Sequence, residues 1–574
     1  MLNVKTTWQM LKFFKFKDLL FRFDPPAGGL SCSFEFCDLS FEISLVVYQY
    51  FDTFMNDIEE IVYRLLKSER KDYLSLRQAE AAFSQKTGQP FPKKYQLLAS
   101  YQNLVKKRKI KEDEELFKLL LQKKQKTLSG VAPVAVATKP YPCPGHCVYC
   151  PSQKNVPKSY LDDEPAVRRA IRLGYDPAAQ FSYRVETLRQ SGHPVEKIEL
   201  IILGGTFSFY PRSYREDFVK ACFEAANGRK AASLEEAQRQ NEKANQRLIG
   251  ITIETRPDLI DDGEIKFLRL LGVTKVALGV QSVFDEVLLK SNRGHQVKKT
   301  AEATKLLRQA GFKICYHLMP NLPGSSLEKD FQMFQIVFQD PHFCPDFLKI
   351  YPTVVLPQAE LYSWWQKGEF IPYRLDELVE LLVRVKEIIP PWVRIERLGR
   401  DIPQGDIAAG YRESHLRQIV KKEAKRRGIT CRCVRCREIG GEKRQEKLFF
   451  NKEEYQVSGG QENFLSFVDQ DNRLYSLLRL FLPQEEAAIF ASLKKAALVR
   501  ELHTYGQALP LGGKKKEVSQ HQGLGRKLLE KAEEIAKAKG YPRLAVIAGV
   551  GTREYYQRQG YHLQQTYMIK ELGE

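Results

Sequence analysis

The sequence of 574 residues contains no uninterrupted run of about 18 apolar residues, so no transmembrane helix is predicted. The first 30 residues carry scattered Lys and Phe, and they lack the apolar core and small-residue cleavage site of a secretory signal peptide. Internal repeats and long low-complexity tracts are also absent, which excludes a repeat architecture. We therefore expect a cytoplasmic protein made of ordinary folded domains.

Acidic residues are fewer than basic residues. The chain has 70 Asp and Glu and 90 Lys and Arg, which gives a net charge of +20. A field of that sign favours a polyanionic partner. Nucleic acid is the first candidate and an anionic membrane the second, while a basic surface that merely aids solubility stays open. The apolar fraction of 43% and the charged fraction of 28% are ordinary for globular protein.

Composition divides the chain into five segments. Residues 1–54 hold 13 aromatic residues and a net charge of −1, and we interpret them as an extension that arises from a start site placed too far upstream. A family-specific, poorly ordered extension is the alternative. Residues 55–130 predict a basic helical region, 131–400 a domain of alternating strands and helices, 401–450 a basic connector, and 451–574 a last α/β unit.

The domain at 131–400 predicts an α/β fold. Short apolar runs alternate with longer helical stretches, which is typical of parallel strands that are buried on both faces. Six such units form a partial, open barrel of TIM type, (βα)6, whose active site would lie at the carboxyl ends of the strands. The predicted strands are 131–138, 198–204, 248–255, 275–281, 313–319 and 347–354.

The first of two cysteine clusters directly follows the first predicted strand. Cys143, Cys147 and Cys150 form a C-x3-C-x2-C pattern, with Tyr149 one residue before the last cysteine. Three thiolates on one short loop can ligate three irons of a 4Fe–4S cluster and leave the fourth iron open. A structural zinc, with His146 as the fourth ligand, is the alternative.

This cysteine spacing resembles the radical S-adenosylmethionine (SAM) superfamily. The resemblance implies that the open iron binds SAM and that cleavage of SAM yields a 5′-deoxyadenosyl radical. Gly204, Gly205 and Thr206 stand where the family's Gly-Gly motif meets the SAM amino group, although a simple tight turn is the alternative. Six more polar side chains at strand ends are expected to face the same cavity, with Glu254 and Gln281 predicted to contact the cofactor: Glu254, Arg256, Gln281, Ser282, His317 and Tyr351.

A glycine-rich segment in the last α/β unit predicts an anion-binding site. The string Q-x-x-G-x-G at 520–525 joins a predicted strand near 496–506 to a helix near 520–539, so backbone N–H groups and the helix dipole favour a phosphate there. Together with a strand at 543–548 and a closing strand near 561–569, the segment resembles the GNAT acetyltransferases. The resemblance implies a pyrophosphate site for acetyl-CoA and a thioester contact for Tyr556, with core packing as the alternative for Tyr555 and Tyr556.

The second cysteine cluster lies in the basic connector. Cys431, Cys433 and Cys436 form C-x-C-x2-C, and three soft ligands this close suit Zn²⁺ in a structural role. His415 or a more distant histidine could be the fourth ligand. A second Fe–S cluster is the alternative.

A radical SAM domain and a GNAT-like domain on one chain, with the strings they carry, resemble the Elongator catalytic subunit family. The resemblance covers about 129–574, with weaker support back to Met55, and the short gap between the first two cluster cysteines is similar to prokaryotic members. It implies an enzyme that acts without other Elongator subunits and away from membranes. The matching strings are TIETRPD (252–258), GVQSVFDEVL (279–288), SNRGH (291–295), RDIP (400–403), RELHTYG (500–506), QHQGLGR (520–526) and GVGTREYYQRQGY (549–561).

The family resemblance also implies a reaction. The deoxyadenosyl radical takes a hydrogen from the methyl group of acetyl-CoA, the carbon radical adds to C5 of tRNA uridine 34, and oxidation and thioester hydrolysis leave 5-carboxymethyluridine. It implies catalytic roles for Cys143, Cys147, Cys150, Lys197 and Tyr556. It implies acetyl-CoA contacts for Lys197, Glu501, Leu502, His503, Thr504, Gly523, Leu524, Gly525, Arg526 and Tyr556. The electron donor is not identified.

Two other functions stay open. A protein lysine acetyltransferase with a structural Fe–S barrel would need a general base, and Glu501 could serve. A non-catalytic tRNA-binding module would leave the cysteine loop without a purpose.

The positive charge is concentrated in two segments. Residues 55–130 hold 17 basic and 10 acidic residues, and residues 412–447 hold 13 basic and 5 acidic residues. Because phosphate contacts supply affinity for RNA, both segments are predicted to bind the tRNA anticodon arm. The wobble base is already unpaired in its loop, so its extrusion costs little.

Overall fold

The computed structural model describes residues 56–88, 90–121, 127, 129–440, 447–484, 489–506 and 523–573. The chain divides into two compact units, Met1–Leu119 and Leu120–Glu574. In the described part, no helix is both long and apolar enough to cross a membrane. Several sequence predictions lie outside the described residues: those for 1–54, Lys123, Lys124, Lys126 and Gln520 to Gln522.

The smaller unit is helical, as its apolar spacing predicts. Its helices are 56–67 (α1), Tyr73–Thr87 (α2), Lys94–Lys106 (α3) and Glu114–Leu120 (α4). Helix α2 begins after Asp72, whose carboxylate accepts a 2.9 Å hydrogen bond from the Ser75 backbone N–H, and it ends at Gly88 in the left-handed conformation. Leu98 of α3 and Leu116 of α4 are fully buried, so the apolar faces of these helices form the core of the unit.

The larger unit begins with a sheet of seven parallel strands in the order β1 to β7. They are Val131–Ala137 (β1), Lys197–Leu203 (β2), Arg247–Thr255 (β3), Lys275–Gln281 (β4), Lys313–Leu318 (β5), Phe347–Ile350 (β6) and Arg394–Leu398 (β7). Within the described residues, β1 pairs with β2 alone and β7 with β6 alone, which confirms an open, partial barrel. The seventh strand adds to the six predicted ones, because its short, mostly charged sequence RIERL does not read as an apolar strand.

Helices connect consecutive strands and mostly cover the outside of the barrel, and the last two follow β7. They are Pro165–Arg172 (α5), Pro177–Gln190 (α6), Arg212–Asn227 (α7), Leu234–Asn241 (α8), Asp262–Leu270 (α9), Asp285–Lys290 (α10), Val297–Gln309 (α11), Leu327–Gln339 (α12), Leu361–Gln366 (α13), Leu375–Ile388 (α14), Leu416–Arg426 (α15) and Val434–Arg437 (α16). In β2, Ile198 and Leu200 are fully buried in the apolar core on this side. Glu199 alternates with them and points to the inside of the barrel, here called the lumen.

A second seven-stranded sheet follows, in the order β13-β14-β12-β11-β10-β9-β8. Its elements are Phe449–Val457 (β8), Gly460–Val468 (β9), Leu474–Pro483 (β10), Ala496–Thr504 (β11), Leu524–Ala538 (α17), Arg543–Val546 (β12), Arg553–Gln557 (α18), His562–Gln564 (β13) and Tyr567–Glu571 (β14). The strand, helix and strand predicted near 496–506, 520–539 and 543–548 correspond to β11, α17 and β12, and the two strands pair in parallel. The predicted closing strand is divided into β13 and β14, and β8 to β10 were not predicted.

The second sheet packs against the loops at the amino ends of the barrel strands. Arg500 of β11 donates a 2.6 Å hydrogen bond to the carbonyl of Phe312, which directly precedes β5. Arg247, the first residue of β3, pairs with Glu554 at 2.7 Å. Leu498 of β11 belongs to the same buried apolar cluster as the barrel core. The second sheet therefore closes the amino end of the barrel.

Asp346, directly before β6, is the centre of a buried charge cluster at this interface. Its carboxylate lies 2.5 Å from Arg500 and 3.5 Å from Arg479, and all three side chains are at most 1% exposed. Burial alone would raise the pKa of Asp346, but Arg500 and Arg479 outweigh it and lower the pKa to about 2. The removal of one partner from such a buried pair leaves an uncompensated charge, which costs about 3–5 kcal/mol.

We expect Asp346→Asn to lower the free energy of unfolding by about 3–5 kcal/mol, because Arg500 and Arg479 lose the buried carboxylate that they share. Glu462 still pairs with Arg500 at 2.5 Å, so the loss should lie at the lower end of this range. The pKa of Asp346 in the folded protein lies below its unfolded value of about 3.9, so the carboxylate stabilises the fold at neutral pH. That stabilisation is lost as the pH falls from about 4 to about 2. Urea unfolding of wild type and variant at several pH values measures both effects.

Asp401→Asn is the matched control, because Asp401 pairs with Arg397 at the surface and its side chain is 65% exposed. We expect this control to change the free energy of unfolding by less than about 1 kcal/mol. Equal losses at the two positions would contradict the role assigned to the buried cluster.

Candidate functional sites at the two ends of the barrel

The segment that follows β1, residues 138–152, is here called the cysteine loop and lies at the carboxyl end of the barrel. Its cysteines, Cys143, Cys147 and Cys150, are all half-buried. The Val148 backbone N–H donates a 3.2 Å hydrogen bond to the carbonyl of Ser291, in the loop that follows α10. Three sulfurs are thus held on one anchored loop, as a 4Fe–4S cluster with an open iron requires.

Two buried arginines flank the cysteine loop. The guanidinium of Arg293 donates to Cys147 Sγ at 3.5 Å. Arg256 Nε donates a 2.9 Å hydrogen bond to Asp258. Arg256 Nη1 lies so close to Gly145 that a Cβ on that glycine would be only 2.1 Å from it. This Nη1 is buried and has no hydrogen-bond partner among the described residues. Hydrogen bonds and positive charge beside ligating sulfurs suit an anionic cluster, so the residues present fit the group.

The thiol of Cys150 needs a metal in order to ionise. Burial raises the pKa of the Cys150 thiol to about 11, and nearby Cys147 and Cys143 add to the rise. Such a thiol keeps its proton at neutral pH until a metal displaces it. In the described part of the chain, the sulfurs of this loop and the His146 ring nitrogens do not form a group whose ligand atoms all lie within 4.8 Å of one another.

Gly204 and Gly205 form a turn at the carboxyl end of β2 that only glycine allows. Their φ angles are 138° and 84°, both left-handed. A Cβ on Gly204 would lie 1.8 Å from Thr138 Oγ1, so the backbone here approaches β1 closely. Thr206 is buried, and its Oγ1 lies 3.4 Å from Cys143 Sγ. The turn thus adjoins the cysteine loop, where the Gly-Gly motif was expected.

Glu254, near the carboxyl end of β3, is held by two residues that the sequence analysis missed. Its carboxylate accepts hydrogen bonds from Tyr160 at 2.6 Å and from Lys349 at 2.8 Å. Burial alone would raise its pKa, but Lys349 leads the charges that lower it to about 2. Lys349 of β6 stands two residues before Tyr351, which directly follows the strand, and this alternation is the signal that could have identified it.

The remaining predicted polar residues at this end are brought together. Burial lowers the pKa of His317 to about 3, so its imidazole is neutral at pH 7, and its ring lies edge-on to Tyr351 at 5.5 Å. Gln281 has a φ of 69°, and Ser282 beside it is buried. In the described structure, His317 Nε2 and Gln281 Oε1 are buried without hydrogen-bond partners. Unpaired buried polar atoms that meet at one end of a barrel fit a polar ligand such as SAM.

The described half of the predicted anion site lies at the start of α17. Gly523, with a φ of 73°, directly precedes the helix, and Leu524 is buried while Arg526 is exposed. A Cβ on Gly525 would lie 3.6 Å from Thr504 Oγ1, at the carboxyl end of β11. The start of a 15-residue helix therefore lies beside the end of a strand, as an acetyl-CoA pyrophosphate site requires.

Strand β11 carries the other residues predicted to contact acetyl-CoA. Glu501 accepts a 2.8 Å hydrogen bond from Arg479, and although burial would raise its pKa, Arg479 leads the charges that lower it. Burial lowers the pKa of His503 to about 4, and its ring lies 4.4 Å from that of Tyr505. Leu502 is half-buried between them in sequence. A carboxylate held ionised by an arginine is a weak proton acceptor, which argues against Glu501 as a general base.

Tyr556 of α18 is 7% exposed and packs in the core of the second sheet. The centroid of its ring lies 5.2 Å from that of Tyr555 and 6.0 Å from that of Tyr561. Tyr555 is 40% exposed, and its Oη would lie 3.3 Å from a Cβ on Gly525. A contact between Tyr556 and the thioester stays a prediction, and Tyr555 lies nearer to the predicted pyrophosphate site.

Lys197 is the first residue of β2 and is half-buried at the amino end of the barrel. It lies in register with Arg247, which in turn pairs with Glu554 of α18. Burial lowers the pKa of Lys197. Lys197 therefore lies at the end of the barrel that the second sheet closes, and a contact with acetyl-CoA stays a prediction.

Cys431, Cys433 and Cys436, here called the connector cluster, converge on one point. Their sulfurs lie within 4.8 Å of one another, and Lys386 Nζ lies 3.8 Å from Cys436 Sγ. Zn–S bonds of about 2.3 Å in a tetrahedron separate sulfurs by about 3.8 Å, so the cluster fits one Zn²⁺. Among the described residues, His415 is not part of this group, and no fourth protein ligand joins it.

We expect Gly204→Ala to weaken SAM binding more than tenfold, because the added methyl group would overlap Thr138 and φ is left-handed. Isothermal titration of the anaerobic, reconstituted protein with SAM measures the loss. Gly228→Ala is the control, since φ there is also left-handed but a Cβ meets nothing within 4 Å. SAM affinity in Gly204→Ala that equals that of the control would contradict this role for the turn.

Comparison with known proteins identifies three family profiles. The Radical SAM superfamily matches residues 141–334, the Radical_SAM C-terminal domain 345–426, and the Acetyltransferase (GNAT) family 516–561. The chain is 46% identical to the tRNA uridine(34) acetyltransferase of Dehalococcoides mccartyi, over 79% of this chain and 100% of that one. It is 40% identical to human Elongator complex protein 3, over 78% of this chain and 85% of that one.

A solved structure is also similar. Elp3 from the archaeon Methanocaldococcus infernus, with an N-terminal deletion, superposes with a TM-score of 0.69 and 42% identity, and the match covers 78% of this chain and 100% of that one. The three cysteines of the cysteine loop, the glycine turn and the glycine-rich helix start all lie within the matched profiles. The chain therefore belongs to the tRNA uridine(34) acetyltransferase family, a family of acyltransferase enzymes that joins radical SAM and GNAT domains in one chain.

Proposed function

We propose that the protein carboxymethylates C5 of uridine 34 in tRNA, by SAM-derived radical chemistry on the methyl group of acetyl-CoA. The observation that carries this proposal is that one compact unit holds both the cysteine loop, at the carboxyl end of the barrel, and a glycine-rich helix start, on the sheet that closes the amino end. An enzyme that only transferred acetyl groups to amines would not need the cysteine loop. Relatives named tRNA uridine(34) acetyltransferase support tRNA as the substrate.

At the carboxyl end, Cys143, Cys147 and Cys150 would hold the 4Fe–4S cluster. When bound, the cluster and SAM supply a 5′-deoxyadenosyl radical. The backbone at Gly204 and Gly205 would approach the SAM amino group, because no side chain intervenes. The carboxylate of Glu254 and the neutral imidazole of His317 would orient the ligand, while Gln281 Oε1 accepts one of its N–H or O–H groups.

At the other end, the start of α17 from Gly523 to Arg526 would bind the acetyl-CoA pyrophosphate through backbone N–H groups and the helix dipole. Residues 501–504 of β11 would line the pantetheine arm. Tyr556 and Lys197 would approach the thioester from the second sheet and from the barrel. The connector cluster would bind a structural Zn²⁺ that fixes the segment between the two domains, and metal analysis of the purified protein tests this assignment.

Two exposed basic segments would bind tRNA phosphates. Lys106 to Lys109 and Lys111 are exposed in the smaller unit. In the connector, Lys421, Lys422 and Lys425 of α15 are exposed, as is Arg435 beyond it. This distribution supports the binding of a tRNA anticodon arm. We propose that the protein acts without other Elongator subunits and in the cytoplasm.

The anaerobic, reconstituted protein is expected to convert tRNA, SAM, reductant and methyl-labelled acetyl-CoA into labelled 5-carboxymethyluridine. Cys150→Ala should give no product, because the cluster loses one of its three ligands. Cys222→Ala removes a buried thiol outside the cysteine loop and should retain the product. Nucleoside mass spectrometry after digestion of the tRNA is the readout. Label found on protein lysine, and unaffected by Cys150→Ala, would overturn the proposal in favour of a lysine acetyltransferase.

We expect Lys421→Glu with Lys425→Glu to weaken tRNA binding at least tenfold and to reduce the slope of log K against log[salt] by about 1.4–1.8, because each lost phosphate contact contributes about 0.7–0.9. Filter binding or fluorescence anisotropy at several salt concentrations measures both quantities. Lys266→Glu with Lys298→Glu, two exposed lysines on α9 and α11, makes the same charge change elsewhere and should have little effect. Equal losses for the two pairs would show that only net charge matters.

A further inference from the structure

The lumen of the barrel is lined in part by charged side chains, whereas such a barrel is ordinarily filled by Val, Ile and Leu. The apolar runs in the sequence predict strands that are buried on both faces, and β4 and β6 are buried along nearly their whole length. In β2 the outer side chains, such as Ile198 and Leu200, are apolar and fully buried, whereas the inner ones are half-buried. The inner positions include a small buried apolar cluster of Ala277, Cys315 and Phe347. The charged inner positions include Glu199 of β2, Glu254 of β3, Lys275 of β4, Lys349 of β6 and Glu396 of β7.

These charges pair across the lumen and not merely along the sheet. Lys275 Nζ lies 2.7 Å from Glu199 and 2.9 Å from Glu396. Because β4 is two strands from β2 and three strands from β7 in the sheet, both contacts span the inside of the barrel. Lys349 on β6 reaches Glu254 on β3 at 2.8 Å, again over three strands.

The inner faces of β1 and β2 are partly exposed to solvent. Ala135, Glu199 and Ile201 at inner positions are half-buried, and the side chain of Glu199 is 28% exposed. The side chain of Glu396, on the edge strand β7, is 21% exposed. Core side chains on the outer face of these strands, such as Leu200 and Ile395, are at most 2% exposed. The exposed area of Glu199 therefore faces the space inside the barrel.

The two ends of this space coincide with the two candidate sites. At the carboxyl end, the Glu254–Lys349 pair lies beside His317 and the turn near the cysteine loop. At the amino end, Arg394, the first residue of β7, donates a 3.3 Å hydrogen bond to Tyr505, which directly follows β11. A strand of seven residues spans about 20 Å, so the two sites lie roughly one strand length apart.

We propose that the lumen is the passage through which the acetyl-thioester arm of acetyl-CoA, anchored at the second sheet, reaches the SAM site at the opposite end of the barrel. This inference rests on the proposed function. Because the carboxylates and ammonium groups of the lumen are paired with each other, the passage has no strong net charge and suits an uncharged arm that contains amide groups. Lys275 uses two of its three N–H donors on Glu199 and Glu396, and the third can bind a carbonyl oxygen of the arm.

The test places an obstacle in the lumen. Ala135 of β1 is half-buried on the inner face, between the fully buried Val134 and Val136, and lies in register with Ile201. We expect Ala135→Phe to retain reductive cleavage of SAM and to bind acetyl-CoA within twofold of wild type. Deuterium transfer from methyl-deuterated acetyl-CoA to 5′-deoxyadenosine should fall at least tenfold. In this transfer a methyl C–D bond breaks, a C–D bond to the 5′ carbon forms, and the unpaired electron moves to the acetyl carbon.

Ala225→Phe is the control, since Ala225 is a half-buried alanine on α7, outside the barrel. It should leave deuterium transfer within twofold of wild type. Deuterium transfer that survives in a folded Ala135→Phe variant would overturn the passage.

A second measurement needs no cluster. In the protein prepared without iron, bromoacetyl-CoA should alkylate the thiol of Ala135→Cys, forming an S–C bond as the C–Br bond breaks, with bromide and the thiol proton released to solvent. Peptide mass spectrometry should show at least tenfold faster labelling than at Ala225→Cys, with protection by acetyl-CoA. Labelling at both positions at the same rate would overturn the passage. If wild type itself transfers no deuterium, the proposed function fails, while this labelling still decides on the passage.

Discussion

The buried pairing of Asp346 with Arg500 and Arg479 joins the barrel to the second sheet, and the arrangement of both candidate sites depends on it. Asp346 comes from the amino end of β6, whereas the arginines come from β10 and β11. In a buried environment an unpaired charge is costly, so the three residues must meet whenever the unit folds. Because Arg500 directly precedes Glu501, the same contact fixes where the predicted acetyl-CoA segment begins relative to the barrel.

This closure determines the functional geometry of the molecule. The cysteine loop follows the carboxyl end of β1, and the second sheet covers the amino ends of the strands, so the two chemistries lie at opposite ends of one barrel. A barrel packed with apolar side chains would separate them completely. Paired charges in the lumen are less stabilising than such packing. Their presence is therefore understandable if the lumen has a function beyond stability.

The sequence was sufficient for those features that depend on local spacing. The C-x3-C-x2-C loop, the Gly204–Gly205 turn and the glycine-rich start of α17 are each contained in a few consecutive residues. The cross-lumen pairs were missed, because Glu254 and Lys349 are 95 residues apart and Lys275 and Glu396 are 121 residues apart. The neighbouring sequence does not distinguish a lysine whose side chain pairs across the lumen from a lysine at a solvated strand edge. Strand β7 was missed for the same reason, since the charges in RIERL become intelligible only when their partners are known.

The contact network also bears on which acyl chemistry the second sheet can support. Transfer of acetyl to a lysine amine needs a group that accepts the amine proton, and Glu501 is the carboxylate in position. Glu501 is held by Arg479, whose guanidinium also lies 3.5 Å from Asp346. Because Arg479 lowers the pKa of Glu501, this carboxylate is stabilised as an anion and accepts protons poorly. The arginine that joins the sheet to the barrel thereby makes Glu501 a poor general base for amine acylation.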